Sequence, residues 1–313
     1  MAGVTKEVWD FILLGSCFLP PLIGFFIDPK LTKEILADLR FPRILNYVAL
    51  ASLGIALVLR LPNSSYLLHD LEFWLRFLLM VMGLTYAAVF AIVTNNIADL
   101  AADKISNPNR PLAQEKVNPK SYLIAGIFCL AFALMIGLLT QVELFWGILA
   151  ISSGYFVYSC KPFRLKSIPI VAKLMIGVNA LSVAVMGFAM AGGNWLEFPL
   201  SWLLFILGPL SLAANFIDLK DIEGDRATGI KTIPVLIGAQ NARHLMAFAA
   251  LACYLIGGYL LDLWWAWPLN IGAAIAHVFF LYRKPFLEKM VFLILVSALF
   301  GLDVFLLFTR QSF

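Results

Sequence analysis

Long apolar runs dominate this chain and restrict it to folds that a lipid bilayer can surround. A spanning helix needs about 20 largely apolar residues, and nine runs near that length follow one another after residue 43. They cover residues 44–61, 73–94, 121–140, 142–159, 168–190, 200–217, 245–263, 267–281 and 290–309. The sequence therefore predicts an all-α, multi-pass integral membrane protein with about nine transmembrane helices.

The composition agrees with a membrane protein and argues against nucleic acid as a partner. Of the 313 residues, 62% are hydrophobic and 13% are charged, whereas soluble domains have about 45–50% and about 25%. The net charge is +4, but the basic residues lie between the apolar runs, as membrane orientation requires. We therefore expect a lipid bilayer, and no nucleic acid, around this chain.

The positions of Lys and Arg predict which ends of the helices face the cytoplasm. Basic residues occur in the connections 97–120, 160–167, 218–243 and 282–289, whereas the intervening connections 62–72, 141, 191–199 and 264–266 contain none. Because positive connections stay on the cytoplasmic side, we expect these four connections on that side, together with residues 30–43.

Residues 1–39 form a predicted extension before a main domain of residues 40–313. Residues 11–27 are apolar but short, and Pro20-Pro21 interrupts them at a point where a helix would lose hydrogen bonds. This segment is predicted to be an interfacial or re-entrant piece, with an additional broken span as an alternative.

Two polar clusters at the ends of apolar runs are the strongest functional signal. We call them the first acidic cluster, Asn95, Asp99 and Asp103, and the second acidic cluster, Asn215, Asp218, Asp221 and Asp225. Residues three or four positions apart share one face of a helix. Each cluster can therefore point into one cavity, although Gly224 is expected to be able to end the second helix early.

Both clusters offer oxygen ligands without a neighbouring Cys or His. Such ligands suit a hard cation, and Mg²⁺ typically binds one or two carboxylates together with water and substrate phosphates. All seven residues are therefore predicted metal ligands, and Asp99, Asp103, Asp221 and Asp225 are predicted catalytic residues. The alternative is that these acids are solvated loop charges.

A diphosphate beside such a metal site also needs cationic side chains. The candidates lie in the basic connections or just inside the next span: Arg110, Tyr158, Lys161, Arg164, Lys166, Lys173 and Arg226. Arg can hold phosphate oxygens with two hydrogen bonds, and Lys acts as a point charge. Each basic residue could instead be a simple orientation anchor, an alternative that is weakest for Lys173 inside a predicted span.

These residues resemble the UbiA superfamily of intramembrane prenyltransferases. The motif Asn-x-x-x-Asp-x-x-x-Asp matches the first acidic cluster, and Asp221-x-x-x-Asp225 matches the second acidic motif of the family. Supporting matches are the stretches 107–112, 158–166 and 223–234. Two features depart from the family pattern: Asn96 stands where many members carry an acid, and the apolar extension precedes the usual nine-span core.

The resemblance implies a helical bundle around a central cavity that is capped on the cytoplasmic side. It also implies two Mg²⁺ ions, a polyprenyl diphosphate substrate, and prenyl transfer to an aromatic or lipid-like acceptor. A membrane terpene cyclase of the same family is the nearest alternative, because it would ionise the same diphosphate without an external acceptor. A transporter is less favoured, since the acids lie at one membrane face rather than near the midplane.

Three further polar residues lie deeper in the apolar runs. Asn179 and His277 are expected to touch the acceptor or the prenyl chain, and Asp303 is expected to make a structural hydrogen bond.

Overall fold

The computed structural model describes residues 6–61, 64–261 and 267–308, and all regular structure in these ranges is helical. The extension forms three helices, α1 (Lys6–Ser16), α2 (Leu19–Ile27) and α3 (Pro29–Ala37). Six helices follow up to residue 190: α4 (Phe41–Leu59), α5 (Leu71–Ala98), α6 (Leu100–Ser106), α7 (Pro119–Thr140), α8 (Val142–Ser159) and α9 (Pro169–Met190). The remaining helices are α10 (Leu200–Phe205), α11 (Ser211–Ala213), α12 (Ile222–Ala227), α13 (Ile233–Ile237), α14 (Ala239–Leu261), α15 (Trp267–Tyr282) and α16 (Glu288–Phe308).

The prediction of a multi-pass, all-α membrane protein is confirmed. Within the described ranges, nine helical segments are long and apolar enough to cross a bilayer. Eight of them correspond to predicted spans, and the ninth, Lys6–Ile27, belongs to the extension. The predicted span at residues 267–281 forms a shorter apolar helix, Trp267–Tyr282.

The predicted span over residues 200–217 corresponds to the apolar segment Leu200–Leu219, but the helix within it is irregular. After α10, the chain forms a wider π-type turn over Ile206–Leu210 and then, beyond α11, a 3₁₀ turn over Ala214–Leu219. Pro209 lies inside the wider turn, where its missing N–H removes one helical hydrogen bond. Hydropathy identifies this span but does not distinguish an irregular helix from a regular one.

The α14 helix begins at Ala239 rather than at residue 245. Its first turn is polar and therefore lies outside the apolar run on which the prediction relied. Gly238, at φ +84°, immediately precedes it, and glycine adopts this left-handed conformation without steric cost.

Two helices that line the site, α4 and α9, pack closely along their length. A Cβ atom on Gly54 of α4 would lie 1.9 Å from the carbonyl oxygen of Ala184, and one on Gly187 of α9 would lie 2.0 Å from that of Ala51. Small residues allow membrane helices to approach in this way. This contact fixes the position of α4 relative to α9.

The extension runs alongside α5 for most of its length. The Lys6 ammonium is 3.2 Å from the Glu72 carboxylate, the Tyr86 hydroxyl donates to the carbonyl oxygen of Cys17 over 2.5 Å, and α3 leads to Asp38 beside Asn96. A helix rises about 1.5 Å per residue, so these contacts are spread over roughly 36 Å of α5. The boundary at residues 39 and 40 and the membrane placement of the extension stay predictions.

Candidate active site

One polar cavity of about 150 Å³ lies between the ends of the helices that carry the two acidic clusters. Ten of the predicted site residues line it: Asn95, Asp99, Asp103, Arg110, Tyr158, Lys166, Asn215, Asp218, Asp221 and Asp225. The structure therefore brings together residues that are widely separated in the sequence, including every member of both clusters.

The first acidic cluster follows the junction between α5 and α6. The backbone N–H of Asp99 donates to the carbonyl oxygen of Asn95 over 2.9 Å, and that of Asp103 donates to the oxygen of Asp99 over 2.8 Å. Because this hydrogen-bond pattern continues across the junction, the three side chains stay on one face. The Asn95 amide also donates to an Asp99 carboxylate oxygen over 2.8 Å.

The second acidic cluster combines two kinds of helical turn. Asn215 and Asp218 lie in the 3₁₀ turn, in which residues three apart lie above one another. Asp221 precedes α12, and its carbonyl oxygen accepts from the N–H of Asp225 over 2.8 Å. The expectation that Gly224 could end the helix is wrong, because α12 continues to Ala227.

Gly224 instead lets α12 pack against α6. A Cβ atom at this position would lie 2.6 Å from the carbonyl oxygen of Ala102 and 2.5 Å from the hydroxyl of Ser106. The N–H of Gly224 donates to that hydroxyl over 2.8 Å. This contact holds the helices of the two acidic clusters together.

Asn107 joins the two clusters directly. Its side-chain amide donates to Asp103 over 3.1 Å and to Asp221 over 2.8 Å. Asn107 lies four residues after Asp103 and so continues the spacing of Asn95, Asp99 and Asp103. This spacing is the sequence signal that could have identified Asn107 as a site residue. Asn107 was not among the predicted site residues, because it is an uncharged residue that follows the acids.

Basic side chains contact the first acidic cluster from two connections. Lys166, which is buried, forms an ion pair with Asp99, and a guanidinium nitrogen of Arg164 lies 3.3 Å from the same carboxylate. Arg110 forms an ion pair with Asp103. Burial raises the pKa of Asp103, while Arg110 acts in the opposite direction.

The second acidic cluster has a buried cationic partner. Lys173, near the start of α9, forms an ion pair with Asp218. Two other predicted diphosphate ligands, Lys161 and Arg226, are exposed and do not line the cavity. Their contact with a diphosphate stays a prediction.

The cavity has the chemistry of a cation site that is completed by a ligand. The amide oxygen of Asn215 is buried without a hydrogen-bond partner. Burial, together with the charges of Asp221 and Asp218, raises the pKa of Asp225 to about 7. Among the described residues, no three Asp, Glu, His or Cys side chains form a group that would hold a metal alone. Mg²⁺ would take its remaining ligands from water or phosphate, as it commonly does.

Several residues that line the cavity were not predicted. Arg40, Arg43 and Tyr47 extend from the start of α4, at a spacing that keeps them on one helix face. The Tyr47 hydroxyl donates to that of Tyr155, and their rings meet edge to face with centroids 6.0 Å apart. Tyr155 lies on α8, so this pair closes the cavity between α4 and α8.

The deeper polar residues have different surroundings. Asn179 lines the cavity, and it packs so tightly on Gly154 that a Cβ there would lie 2.0 Å from its amide oxygen. His277 is fully buried away from the cavity, and its Nδ1 lies 3.1 Å from the Tyr254 hydroxyl. The structural hydrogen bond expected for Asp303 is absent among the described residues, because neither carboxylate oxygen has a partner there.

A family model and several known proteins match this chain. The model of the UbiA prenyltransferase family matches residues 56–290. A digeranylgeranylglyceryl phosphate synthase from Methanopyrus kandleri is 27% identical over 159 residues, which are 50% of this chain and 56% of that protein. The chloroplastic 2-acylphloroglucinol 4-prenyltransferase of Humulus lupulus is 32% identical over 182 residues, which are 53% of this chain and 42% of that protein. The matches thus span about half the length of these relatives.

Solved structures share the fold. A UbiA homologue from Archaeoglobus fulgidus, in a structure bound to GPP and Mg²⁺, superposes with a TM-score of 0.67 at 17% sequence identity, covering 88% of this chain and 99% of that chain.

Proposed function

This chain belongs to the UbiA prenyltransferase family, and we propose that it transfers a prenyl group from a polyprenyl diphosphate to an aromatic or lipid-like acceptor within the membrane. The observation that carries this proposal is the convergence of both acidic clusters on one cavity, where Asn107 joins Asp103 to Asp221. Paired acidic clusters facing basic side chains have the chemistry needed to hold a diphosphate together with a divalent cation.

The metal in this proposal is Mg²⁺, with two ions shared by the two clusters. The first ion would be held by Asn95, Asp99 and Asp103, and the second by Asn215, Asp218, Asp221 and Asp225. Bound Mg²⁺ supplies positive charge that stabilises the departing diphosphate. The structure of the Archaeoglobus fulgidus homologue bound to GPP and Mg²⁺ supports this choice.

The basic side chains have a second role in the proposal. Lys166 and Arg110 line the cavity, so their charges can bind phosphate oxygens as well as the carboxylates that they now contact. Arg164 forms an ion pair with Asp99, and Lys173 forms one with Asp218. Neither basic residue lines the cavity, so both hold these carboxylates in place from outside it. The carbon–oxygen bond of the allylic diphosphate then breaks, and its electron pair leaves with the diphosphate.

The allylic cation that remains needs surroundings that exclude water. Tyr47, Tyr155, Tyr158 and Phe292 line the cavity, and aromatic faces stabilise a cation within about 6 Å of the ring centroid. The acceptor nucleophile forms a bond to the cationic carbon and loses a proton. We place the cavity at the cytoplasmic side, because the surrounding connections carry the Lys and Arg residues.

The proposed acceptor is either a glyceryl phosphate lipid or an aromatic compound. The Methanopyrus kandleri relative is named for a glyceryl phosphate lipid, and the Humulus lupulus relative for an acylphloroglucinol, which is aromatic. Arg43 lines the cavity beside the tyrosines and would suit an acceptor that carries a negative charge.

The test is product analysis with purified protein in liposomes. Prenyl diphosphates of increasing length are incubated with Mg²⁺ and either a glyceryl phosphate lipid or an aromatic acceptor, and products are identified by mass spectrometry. We expect a prenylated acceptor that disappears when EDTA is added. A cyclic hydrocarbon or alcohol formed without acceptor would instead establish the cyclase alternative.

A further inference from the structure

Asn96, next to a predicted metal ligand, is held by three side chains. It is 1% exposed, and its amide nitrogen donates to Asp38 over 2.5 Å and to the Tyr122 hydroxyl over 3.1 Å. Its amide oxygen accepts from a guanidinium nitrogen of Arg40 over 2.6 Å. Every hydrogen-bonding group of this buried amide therefore has a partner.

Asp38 determines which way round the Asn96 amide lies. A carboxylate only accepts hydrogen bonds, so Asp38 requires the amide nitrogen on its side. The Tyr122 hydroxyl, which also donates to Asp38 over 3.1 Å, reinforces this arrangement. The amide oxygen is consequently directed towards Arg40.

Arg40 carries this orientation to the cavity. Its second terminal nitrogen lies 3.5 Å from the amide oxygen of Asn95, a member of the first acidic cluster. Arg40 and Asn95 both line the cavity, whereas Asp38 does not. Asp38 therefore reaches the cavity indirectly, through its hydrogen bond to Asn96 and through its charge beside Arg40.

The extension presents Asp38 from a well-anchored helix. Asp28 caps the start of α3 by accepting from the N–H of Leu31 over 2.9 Å, and Leu31 and Ile35 pack against the apolar cluster around Val89 and Tyr122. Asp38 follows directly after α3 and precedes the segment 56–290 that the family model matches.

We propose that Asp38 is a positioning residue of the active site, which through Asn96 orients Arg40 and Asn95 towards the bound diphosphate and its cation. The carboxylate that contacts the Asn96 amide is supplied by the extension, from position 38. This inference deepens the proposed function and rests on it.

If this proposal is right, the carboxylate at position 38 and the amide at position 96 can be exchanged without loss of binding. Asn96→Asp places two carboxylates in contact, and Asp38→Ala leaves a buried amide hydrogen without an acceptor, so we expect each to weaken binding of Mg²⁺-pyrophosphate about tenfold. Asp38→Asn with Asn96→Asp restores one carboxylate and one amide, with Arg40 and Tyr122 still able to donate. We expect this double variant to bind within about threefold of the unmodified chain, since all buried groups are satisfied again.

The binding constant is measured by calorimetric titration of the chain of residues 1–313. The same variants are assayed for the Mg²⁺ concentration that gives half-maximal turnover. Asp28→Ala is the matched control, because it weakens the cap of the same helix without contacting Asn96. A purely structural role would reduce the active fraction of the protein without shifting the half-saturating Mg²⁺ concentration.

Two results would overturn the inference while leaving the proposed function intact. One is unchanged Mg²⁺-pyrophosphate binding in both single variants, and the other is a double variant that binds no better than Asn96→Asp alone. An unmodified chain that neither binds Mg²⁺-pyrophosphate nor consumes any prenyl diphosphate would refute the proposed function, and the inference with it.

Discussion

Asp103 and Asp221 belong to different acidic clusters, yet they accept hydrogen bonds from the same side-chain amide, that of Asn107. Each carboxylate keeps a second oxygen outside this bridge. The amide thus sets the spacing of the clusters, while the second oxygen of Asp103 accepts from Arg110 and that of Asp221 lies outside the bridge.

Removing this bridge should weaken metal-dependent activity. In Asn107→Ala the carboxylates of Asp103 and Asp221 lose the donor that they share, although Arg110 still contacts Asp103, so we expect kcat/KM for the prenyl diphosphate to fall at least about tenfold. Raising the Mg²⁺ concentration should restore part of the activity, because added cation offsets the repulsion. Asn109, exposed in the same connection, provides the control Asn109→Ala. Equal activities of the two variants across a Mg²⁺ titration would contradict the role of the bridge.

A methyl group at Gly224 should separate the two clusters. Gly224→Ala would place its Cβ 2.6 Å from the backbone oxygen of Ala102, and such overpacking typically costs about 1–3 kcal/mol. We expect a lower Tm and a loss of about tenfold in kcat/KM, since α12 must move away from α6. Gly272→Ala is the control, because nothing lies within 4 Å of its added Cβ. The packing argument fails if both variants behave alike.

The carboxylate of Asp225 should be essential for turnover. Substitution of groups that merely support metal ligands costs about 10–100-fold, so we expect Asp225→Asn to lower kcat/KM at least about hundredfold. Asp99→Ala and Asp225→Ala should abolish turnover while the protein stays folded and inserted in the membrane. Glu223→Gln changes an exposed acid of the same helix and should retain full activity. Near-normal rates in both the Asp99 and the Asp225 variants would refute the two-cluster metal site.

The first acidic cluster was predictable because its members follow the helical period. Asn95, Asp99 and Asp103 share a face in any helix with regular hydrogen bonds, whatever surrounds that helix. The contact between Asn107 and Asp221 depends instead on the packing of α6 against α12, which local periodicity does not encode. The same holds for Asp38, since no sequence pattern connects it with Asn96.

Hydropathy predicts which segments span the membrane. It does not predict whether the helix within a span is regular. The run over residues 200–217 was recognised as a span, but the irregular turns around Pro209 depend on how neighbouring groups satisfy the backbone. Those turns decide where Asn215 and Asp218 point. Helical spacing predicted that both residues can point into one cavity, but it did not predict the 3₁₀ turn from which they do so.

The last prediction concerns the orientation of the chain and its extension. Because α1 begins beside Glu72 and α3 ends beside Asn96, we expect Lys6 and Asp38 at opposite membrane faces, which is the broken-span alternative for the extension rather than the interfacial one. In a variant without the four native cysteines, single cysteines at Lys6, at Leu196 and at Lys284 test this arrangement in intact cells. An impermeant maleimide should label Lys6→Cys and Leu196→Cys directly, but Lys284→Cys only after the membrane is permeabilised, since residues 282–289 carry the basic connection. Protection of Lys6→Cys alone would show that the extension does not cross the bilayer. Protection of Leu196→Cys together with direct labelling of Lys284→Cys would show that the orientation of the whole chain is the opposite of the predicted one.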